Sequence, residues 1–232
     1  MRIANAQTTG PFSVYLPAVI KGGNGPLAPT PTFTATATLI HTPTATPTPT
    51  SVPQTTFLRL YPVQNAYVGE RAPNTNFGRS YTLFVGTYEG EGNGLIQFDL
   101  STIPTGTQIT SAILGVDYEM RQGSTSQTPT FIVTAYRTSA PWDELLVTWN
   151  SRPSRTEDYD TIGFNLFGFK TFDITNLVQA WVNGTYPNYG ITLAGSANYS
   201  NTAAGFCPRE GGTWGCNGSS GSPTLSITYV KP

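Results

Sequence analysis

The side chains that could carry acid–base chemistry are few and scattered. The single histidine, His41, lies in a Thr- and Pro-rich stretch, so it cannot join a Ser-His-Asp or Cys-His arrangement in a folded domain. Asp117 and Glu119 are two residues apart and face the same way along a strand, which a solvated strand face explains more simply than a glycosidase pair. The other carboxylates available for such a pair are Asp99, Asp143, Glu144 and Asp173. We therefore predict no catalytic residue and no enzyme activity.

Two oxygen-rich segments are candidates for a metal site. EGEGNG places Glu89, Glu91 and Asn93 at alternate positions in a Gly-rich loop, and Ca²⁺ prefers such oxygen ligands. A second loop, EDYD, offers three more carboxylates: Glu157, Asp158 and Asp160. Neither segment matches a complete ligand pattern. A structural Ca²⁺ ion at the first loop is therefore one alternative and a solvated loop is the other, and no further cofactor is predicted.

Aromatic side chains beside polar groups favour sugar binding. Trp214 lies among glycines in the segment FCPREGGTWGC, with Arg209 as a polar neighbour, and we expect it to contact a glycan or another protein. Three tyrosines in Asn-rich turns are further candidates: Tyr186, Tyr189 and Tyr199. A β protein this rich in tyrosine must expose several without a role, so scattered surface tyrosines are the alternative interpretation.

Two features predict secretion. Cys207 and Cys216 flank a Pro- and Gly-containing turn, and we predict a disulfide worth about 2 to 3 kcal/mol, typical of an oxidising compartment; free thiols are the alternative. The first residues lack the apolar segment of a signal peptide, although Ala4, Asn5 and Ala6 resemble a cleavage site. We expect the true signal to lie upstream and the mature protein to be secreted, either extracellular or on the cell surface.

A low charge density narrows the classes of partner. The 232 residues carry a formal net charge of -1, with 11% charged and 12% aromatic residues. Nucleic acid and anionic membranes are poor partners for such a chain. The sequence has no apolar run near the roughly 18 to 20 residues that cross a bilayer, so no membrane span is predicted. This composition is typical of an all-β extracellular protein with many turns.

Composition divides the chain into an N-terminal segment (1–25), a Thr/Pro-rich spacer (26–56) and a region with strand signals (57–232). Proline holds the spacer in extended polyproline II, which would reach roughly 90 Å. Thr and Ser beside Pro is also the composition of O-glycosylated stalks, and an unmodified disordered linker is the alternative. The candidate O-glycosylation sites are Thr30, Thr32, Thr44, Thr46, Thr48 and Thr50.

The N-terminal segment contains an isolated strand, FSVYLPAVIK (12–21), with the period-two pattern of one buried face. Because the spacer cannot supply a partner, we predict that this strand adds to a β-sandwich, its own or a neighbour's. Pro17 must then lie at a bulge or on the unpaired edge. Addition to a neighbour is head-to-tail and generates a homopolymeric filament; a segment without order is the alternative. The side chains to be buried are Phe12, Val14, Leu16, Val19 and Ile20.

From residue 57 onward, strand candidates recur about every ten residues between turns such as APNTNFG. This spacing predicts an all-β fold, a jelly-roll-like antiparallel β-sandwich. The candidates are FLRLYPV, AYVGE, YTLFVG, LIQFDL, ITSAILGVDYEM, TFIVTAYRT, LLVTWN, GFKTFDI, GITLAG and TLSITYV.

One segment, DITNLVQAWVNG, has helical periodicity instead. Leu177 and Trp181 are four residues apart, Thr175 is placed to cap the N-terminus, and Gly184 supplies the stop. We predict one short helix over the sandwich, with Trp181 on its buried face.

Four segments in series carry a family resemblance: NAYVGERAPNTNFGRSYTLFVG, LIQFDLSTIPTGTQITSAIL, WDELLVTWNSRP and TFDITNLVQAWVNGTYPNYGITL. In this order they resemble the DNRLRE-domain family of secreted β-sandwich modules, and the resemblance covers nearly all of 57–232. The string that names the family is absent, so the resemblance implies fold more strongly than ligand. Some members are classed as carbohydrate-binding modules, and members commonly occur on bacterial surfaces.

The sequence as a whole predicts a non-enzymatic extracellular structural protein. The main hypothesis is a self-associating subunit of a cell-surface filament or layer, assembled through the N-terminal strand. The alternative is a carbohydrate-binding or adhesive module on a Thr/Pro stalk, with polysaccharide as its partner.

Overall fold

A computed structural model describes residues 54–123, 128–211, 216 and 221–231. Four of the sequence predictions lie outside the described residues: the donor strand, the spacer up to residue 53, its O-glycosylation sites and Trp214. They stay predictions. The last two residues of the predicted spacer, Thr55 and Thr56, already belong to the first strand.

The described chain is almost entirely β-structure, which confirms the predicted fold class. Its strands are β1 Thr55–Leu60, β2 Pro62–Gly69, β3 Leu83–Gly86, β4 Gly92–Phe98, β5 Gln108–Gln122, β6 Phe131–Thr138, β7 Arg155–Phe164, β8 Gly168–Asp173, β9 Ile191–Ala197, β10 Ala203–Phe206 and β11 Thr224–Val230. The helix α1, Thr175–Val182, lies between β8 and β9.

The strands form one antiparallel sheet that curls into a sandwich-like body. Its order is β1-β11-β5-β10-β3-β4-β9-β6-β7, with β2 added to β4 and β8 added to β5. The 15-residue strand β5 makes the curl possible, because one edge pairs first with β11 and then with β10 while the other pairs with β8. Strand β4 is shared in the same way by β2, β3 and β9.

The curled sheet encloses a single main core to which most strands and α1 contribute. Strand β11 shows why the sequence folds this way, since Leu225, Ile227 and Tyr229 alternate inward between partly exposed residues. Full burial of such side chains contributes about 1.5 to 3 kcal/mol each. The largest fully buried side chains are Tyr118, Phe98, Phe131, Phe172 and Phe206.

Two predictions of local structure need correction, one of a strand and one of a loop. LLVTWN is a turn-rich segment and not a strand. Its Val147 fills a second small core on the outer side of β2 and β4, with Trp142 and Trp149 packed against it. EDYD is not a loop but the start of strand β7, which sequence analysis missed because its first residues are polar and exposed.

The predicted helix forms, but its N-cap differs from the prediction. Leu177 and Trp181 are buried as expected, and Gly184 adopts a φ of 72° just beyond the helix. The N-cap residue is Ile174, and Thr175 is the first helical residue. The Thr175 amide donates to the Asp173 carboxylate at 2.9 Å, so Asp173 takes over the capping role. Within the described residues, no helix has the length and apolarity to cross a bilayer.

Candidate functional site

A groove lined by aromatic rings lies where β2 ends and β4 begins, and we call it the Tyr67 groove. It has a volume of about 360 Å³, a size that suits a small-molecule or sugar ligand. Its aromatic lining comes from β2 (Tyr67), the loop after β2 (Phe77), β3 (Phe84) and the loop after β3 (Tyr88).

The rings of this groove are held in place by one another. Tyr67 stacks on Phe77 with ring centroids 4.3 Å apart and planes 15° apart. Phe84 meets Tyr67 at a right angle, with centroids 5.5 Å apart. Both are preferred aromatic geometries, so the faces are set before any ligand arrives. A second depression, lined by Asn76, Arg79 and Leu145, shares Tyr67 and Phe77 as a wall.

Tyr67 combines a hydroxyl group with a half-buried ring. Burial raises the pKa of Tyr67 to about 12. Its phenol has no hydrogen-bond partner among the residues that the structure describes. The phenol oxygen is not among the fully buried polar atoms without a partner, so a ligand hydroxyl can reach it and bond to it.

The rim of the groove is fixed by hydrogen bonds. The amide of Glu70 donates to the carbonyl of Glu91 at 2.8 Å, and the amide of Glu91 donates back to the Glu70 carboxylate at 3.0 Å. The amide of Glu89 donates to Oδ1 of Asn201 at 2.7 Å. These bonds hold the loop after β3 against Glu70, which follows β2, and against Asn201, which precedes β10.

Arginines engage the residues of the predicted Ca²⁺ site. Glu89 pairs with Arg71, while Arg155 bonds Glu91 at 2.5 Å and Oδ1 of Asn93 at 3.1 Å. Burial alone would raise the pKa of Glu91, but the hydrogen bond and charge of Arg155 outweigh burial and lower it. The structure thus gives these oxygens cationic partners, and Ca²⁺ binding here stays a prediction.

Two acidic residues of EDYD also have partners on neighbouring elements. Glu157 accepts two hydrogen bonds from Arg137, at 2.7 and 3.2 Å. Hydrogen bonding to Arg137, then to a backbone amide and to Thr156, and the charge of Arg137 lower the pKa of Glu157 to about 2. Asp160 accepts a hydrogen bond from the amide of Asp173 at 2.8 Å. These contacts hold β7 against β6 and β8.

Arg209, predicted to contact a ligand, is committed to a network inside the protein. Its guanidinium bonds Glu144 at 2.6 Å, Glu210 at 2.7 Å and the carbonyl of Val63 at 2.7 Å. Its amide donates to Oδ1 of the buried Asn65 at 2.9 Å. The network joins β2 to the loop closed by the Cys207–Cys216 disulfide, which the structure contains as predicted.

The three predicted tyrosines are half-buried and lie in different surroundings. Tyr186 packs under the guanidinium of Arg137 at 4.1 Å from the ring centroid. The carbonyl of Tyr189 accepts a hydrogen bond from the indole of Trp142, and that of Tyr199 accepts one from Thr202. Their roles in ligand contact are untested.

Three of the candidate catalytic carboxylates shape turns. Asp99, Asp143 and Asp173 each accept a hydrogen bond from the amide two residues ahead, at 2.8, 2.7 and 2.9 Å. Asp117, Glu119 and Cys207 lie close enough together to hold a metal ion. The sulfur of Cys207 is bonded to Cys216, which leaves only two oxygen ligands at that position.

Sequence analysis missed the residues of the Tyr67 groove. AYVGE and YTLFVG have the pattern of strands and APNTNFG that of a turn, but nothing in those patterns indicates that their aromatic residues meet. The one available signal is the density of aromatic residues around that turn, with Tyr67 before it and Phe77 within it.

Comparison with known proteins gives the chain a family. The model of carbohydrate-binding module family 96 matches residues 56–216, which is more than half of the chain. The comparison with curated proteins finds no match. The resemblance to DNRLRE domains stays a prediction, since the family match names carbohydrate-binding modules. The chain belongs to carbohydrate-binding module family 96.

Proposed function

We propose that this protein is a secreted, non-catalytic module that binds polysaccharide through the Tyr67 groove. The observation that carries the proposal is the stacked pair Tyr67 and Phe77 at the wall of a concave site. The carbon-bound hydrogens of a sugar ring pack on aromatic faces, while its hydroxyls need hydrogen-bond partners at the edge. The Tyr67 groove has both aromatic faces and polar side chains.

The polar partners come from the fixed rim. Glu70, Arg71 and Gln122 line the groove beside the rings and can donate to and accept from hydroxyl groups. The family match supports the same class of ligand. The hypothesis of a filament subunit gains no support from the described residues, and its donor strand lies outside them.

Affinity electrophoresis tests the proposal. The full chain is run through gels containing hydroxyethylcellulose, galactomannan, xylan or polygalacturonate. We expect retardation in at least one gel and a loss of affinity of at least about tenfold, or about 1.4 kcal/mol, in Tyr67→Ala.

Tyr81→Ala is the matched control, because Tyr81 is 62% exposed and does not line the groove. It should bind like the parent protein. Thermal unfolding of both variants separates a loss of binding from a loss of fold. Migration of the parent protein unchanged by all four polysaccharides would overturn the proposed function, and equal binding by Tyr67→Ala would overturn the site.

A further inference from the structure

A second groove lies at the opposite end of β4, and we call it the Asn188 groove. It has a volume of about 720 Å³ and lies between the start of β2, the end of β4, the turn after β4 and the end of α1. Phe98 lines this groove and Gly92 lines the Tyr67 groove, so the two are separated by the length of β4. At about 3.3 Å per residue that is roughly 20 Å.

The floor of the Asn188 groove is apolar. Ile103 and Trp181 are 7% exposed and are joined there by Leu100 and Val182. The indole nitrogen of Trp181 is buried without a hydrogen-bond partner among the described residues. Buried donors are rarely left unpaired, and this one belongs to a residue that lines the groove.

The wall of the groove is a chain of amide side chains in fixed orientation. Gln64 donates to Gln97, Nε2 of Gln97 donates to the carbonyl of Asn188 at 2.7 Å, and Nδ2 of Asn188 donates to the carbonyl of Phe98 at 2.8 Å. Each of Gln97 and Asn188 uses one of its two N–H groups in these bonds. The remaining N–H of each has no partner within the described part of the chain.

The charge of the groove selects its ligand. Among the described residues that line it, Asp99 is the one ionisable side chain. Hydrogen bonds from the amide and then the hydroxyl of Ser101 lower the pKa of Asp99, so it is a carboxylate at neutral pH. A carboxylate accepts hydrogen bonds from hydroxyl groups and repels anions. The groove therefore fits a neutral polyhydroxylated ligand.

We propose that the Asn188 groove is a second binding site, which takes a neutral saccharide unit on its apolar floor and bonds its hydroxyls through Asp99, Gln97 and Asn188. The proposal rests on the proposed function and deepens it, because it makes the module bivalent. Two sites roughly 20 Å apart engage two chains, or two points of one chain, and raise avidity without new contacts at either site.

NMR titration of the full ¹⁵N-labelled chain tests the second site, with cellohexaose and mannohexaose as probes. The side-chain amide signals of Gln97 and Asn188 and the indole signal of Trp181 report on the Asn188 groove. We expect at least one probe to shift them, and the shifts to persist in Tyr67→Ala. Asp99→Ala should weaken this binding about tenfold, since a charged hydrogen bond is lost.

Asp143→Ala is the matched control for Asp99→Ala. Like Asp99, Asp143 accepts a hydrogen bond from the amide two residues ahead, but it does not line the Asn188 groove. Equal effects of the two substitutions overturn the second site, as does the absence of shifts at Gln97 and Asn188. Either result leaves the proposed function intact if a polysaccharide gel still retards the protein. Failure of the second site is therefore distinguishable from failure of polysaccharide binding.

Discussion

Tyr67 and Phe77 are joined twice, through their rings and through their backbones. The rings stack with centroids 4.3 Å apart, and the two residues also form an isolated antiparallel bridge beyond the edge of β2. The loop between them is therefore folded back and anchored at its far end. An anchored loop loses less entropy when a ligand binds, so this pair preorganises one wall of the Tyr67 groove.

Replacing Tyr67 with phenylalanine should separate stability from binding. The ring stack is kept, and a hydroxyl that has no partner among the described residues is removed. We expect the unfolding free energy to change by no more than about 0.5 kcal/mol and polysaccharide affinity to fall about three- to tenfold, the value of one hydrogen bond. Urea unfolding and affinity electrophoresis measure the two effects. A larger loss of stability in Tyr67→Phe would contradict the assignment of an unpartnered hydroxyl.

The sequence predicts those elements whose burial pattern is local. The alternation in β11 and the four-residue spacing of Leu177 and Trp181 each place side chains on one face of a single element. The fold class follows from many such elements. The sequence does not predict strand β7, because its residues from Arg155 to Asp158 are all exposed and show no alternation of buried and exposed side chains.

The candidate site was beyond prediction for a different reason. Its wall joins Tyr67, Phe77 and Phe84, whose proximity depends on strand pairing and not on local pattern. The predicted Ca²⁺ loop shows the same limit, since Arg155 reaches Glu91 from 64 residues further along the chain. Residue types in one segment cannot reveal a partner that the fold brings in from another.

Removing the guanidinium of Arg209 should destabilise the fold. The side chain of Glu144 is 13% exposed, and its carboxylate accepts a hydrogen bond from the guanidinium of Arg209 at 2.6 Å. The bond to the buried Asn65 comes from the backbone amide of Arg209 and survives the substitution. We expect Arg209→Ala to lower the unfolding free energy by about 2 kcal/mol, because a nearly buried carboxylate loses its cation. Urea denaturation measures the change.

Arg59→Ala is the control for this prediction. Arg59 lies exposed on β1, and its loss should change stability by no more than about 0.5 kcal/mol. If Arg209→Ala were no more destabilising than Arg59→Ala, the hydrogen bonds of the Arg209 guanidinium would contribute nothing measurable to the unfolding free energy.

A pair of glycines distinguishes backbone strain from steric exclusion. Gly184 and Gly190 have φ of 72° and 87°, but a Cβ at Gly184 meets nothing within 4 Å while one at Gly190 lies 2.3 Å from the carbonyl oxygen of Ile96. Gly184→Ala should cost about 1 to 2 kcal/mol through its φ alone. Gly190→Ala should cost more, on the order of 3 to 5 kcal/mol, because β4 must also move. Equal losses in urea unfolding would rule out the close approach.

The ion pair between Arg137 and Glu157 should make stability depend on pH in the acid range. Hydrogen bonds, the largest contribution coming from Arg137, together with the charge of Arg137 lower the pKa of Glu157 from the usual 4.5 to about 2 in the folded state. A depressed carboxyl pKa gives stability that is present above pH 4.5 and is lost as pH falls toward 2. Glu157→Gln should therefore unfold at a lower temperature than the parent at pH 7, and the difference should shrink between pH 4.5 and pH 2.

Asp158→Asn, a substitution of an exposed neighbour on β7, is the control and should follow the parent curve. A constant difference between Glu157→Gln and the parent across this range would show that Glu157 does not titrate as the structure indicates.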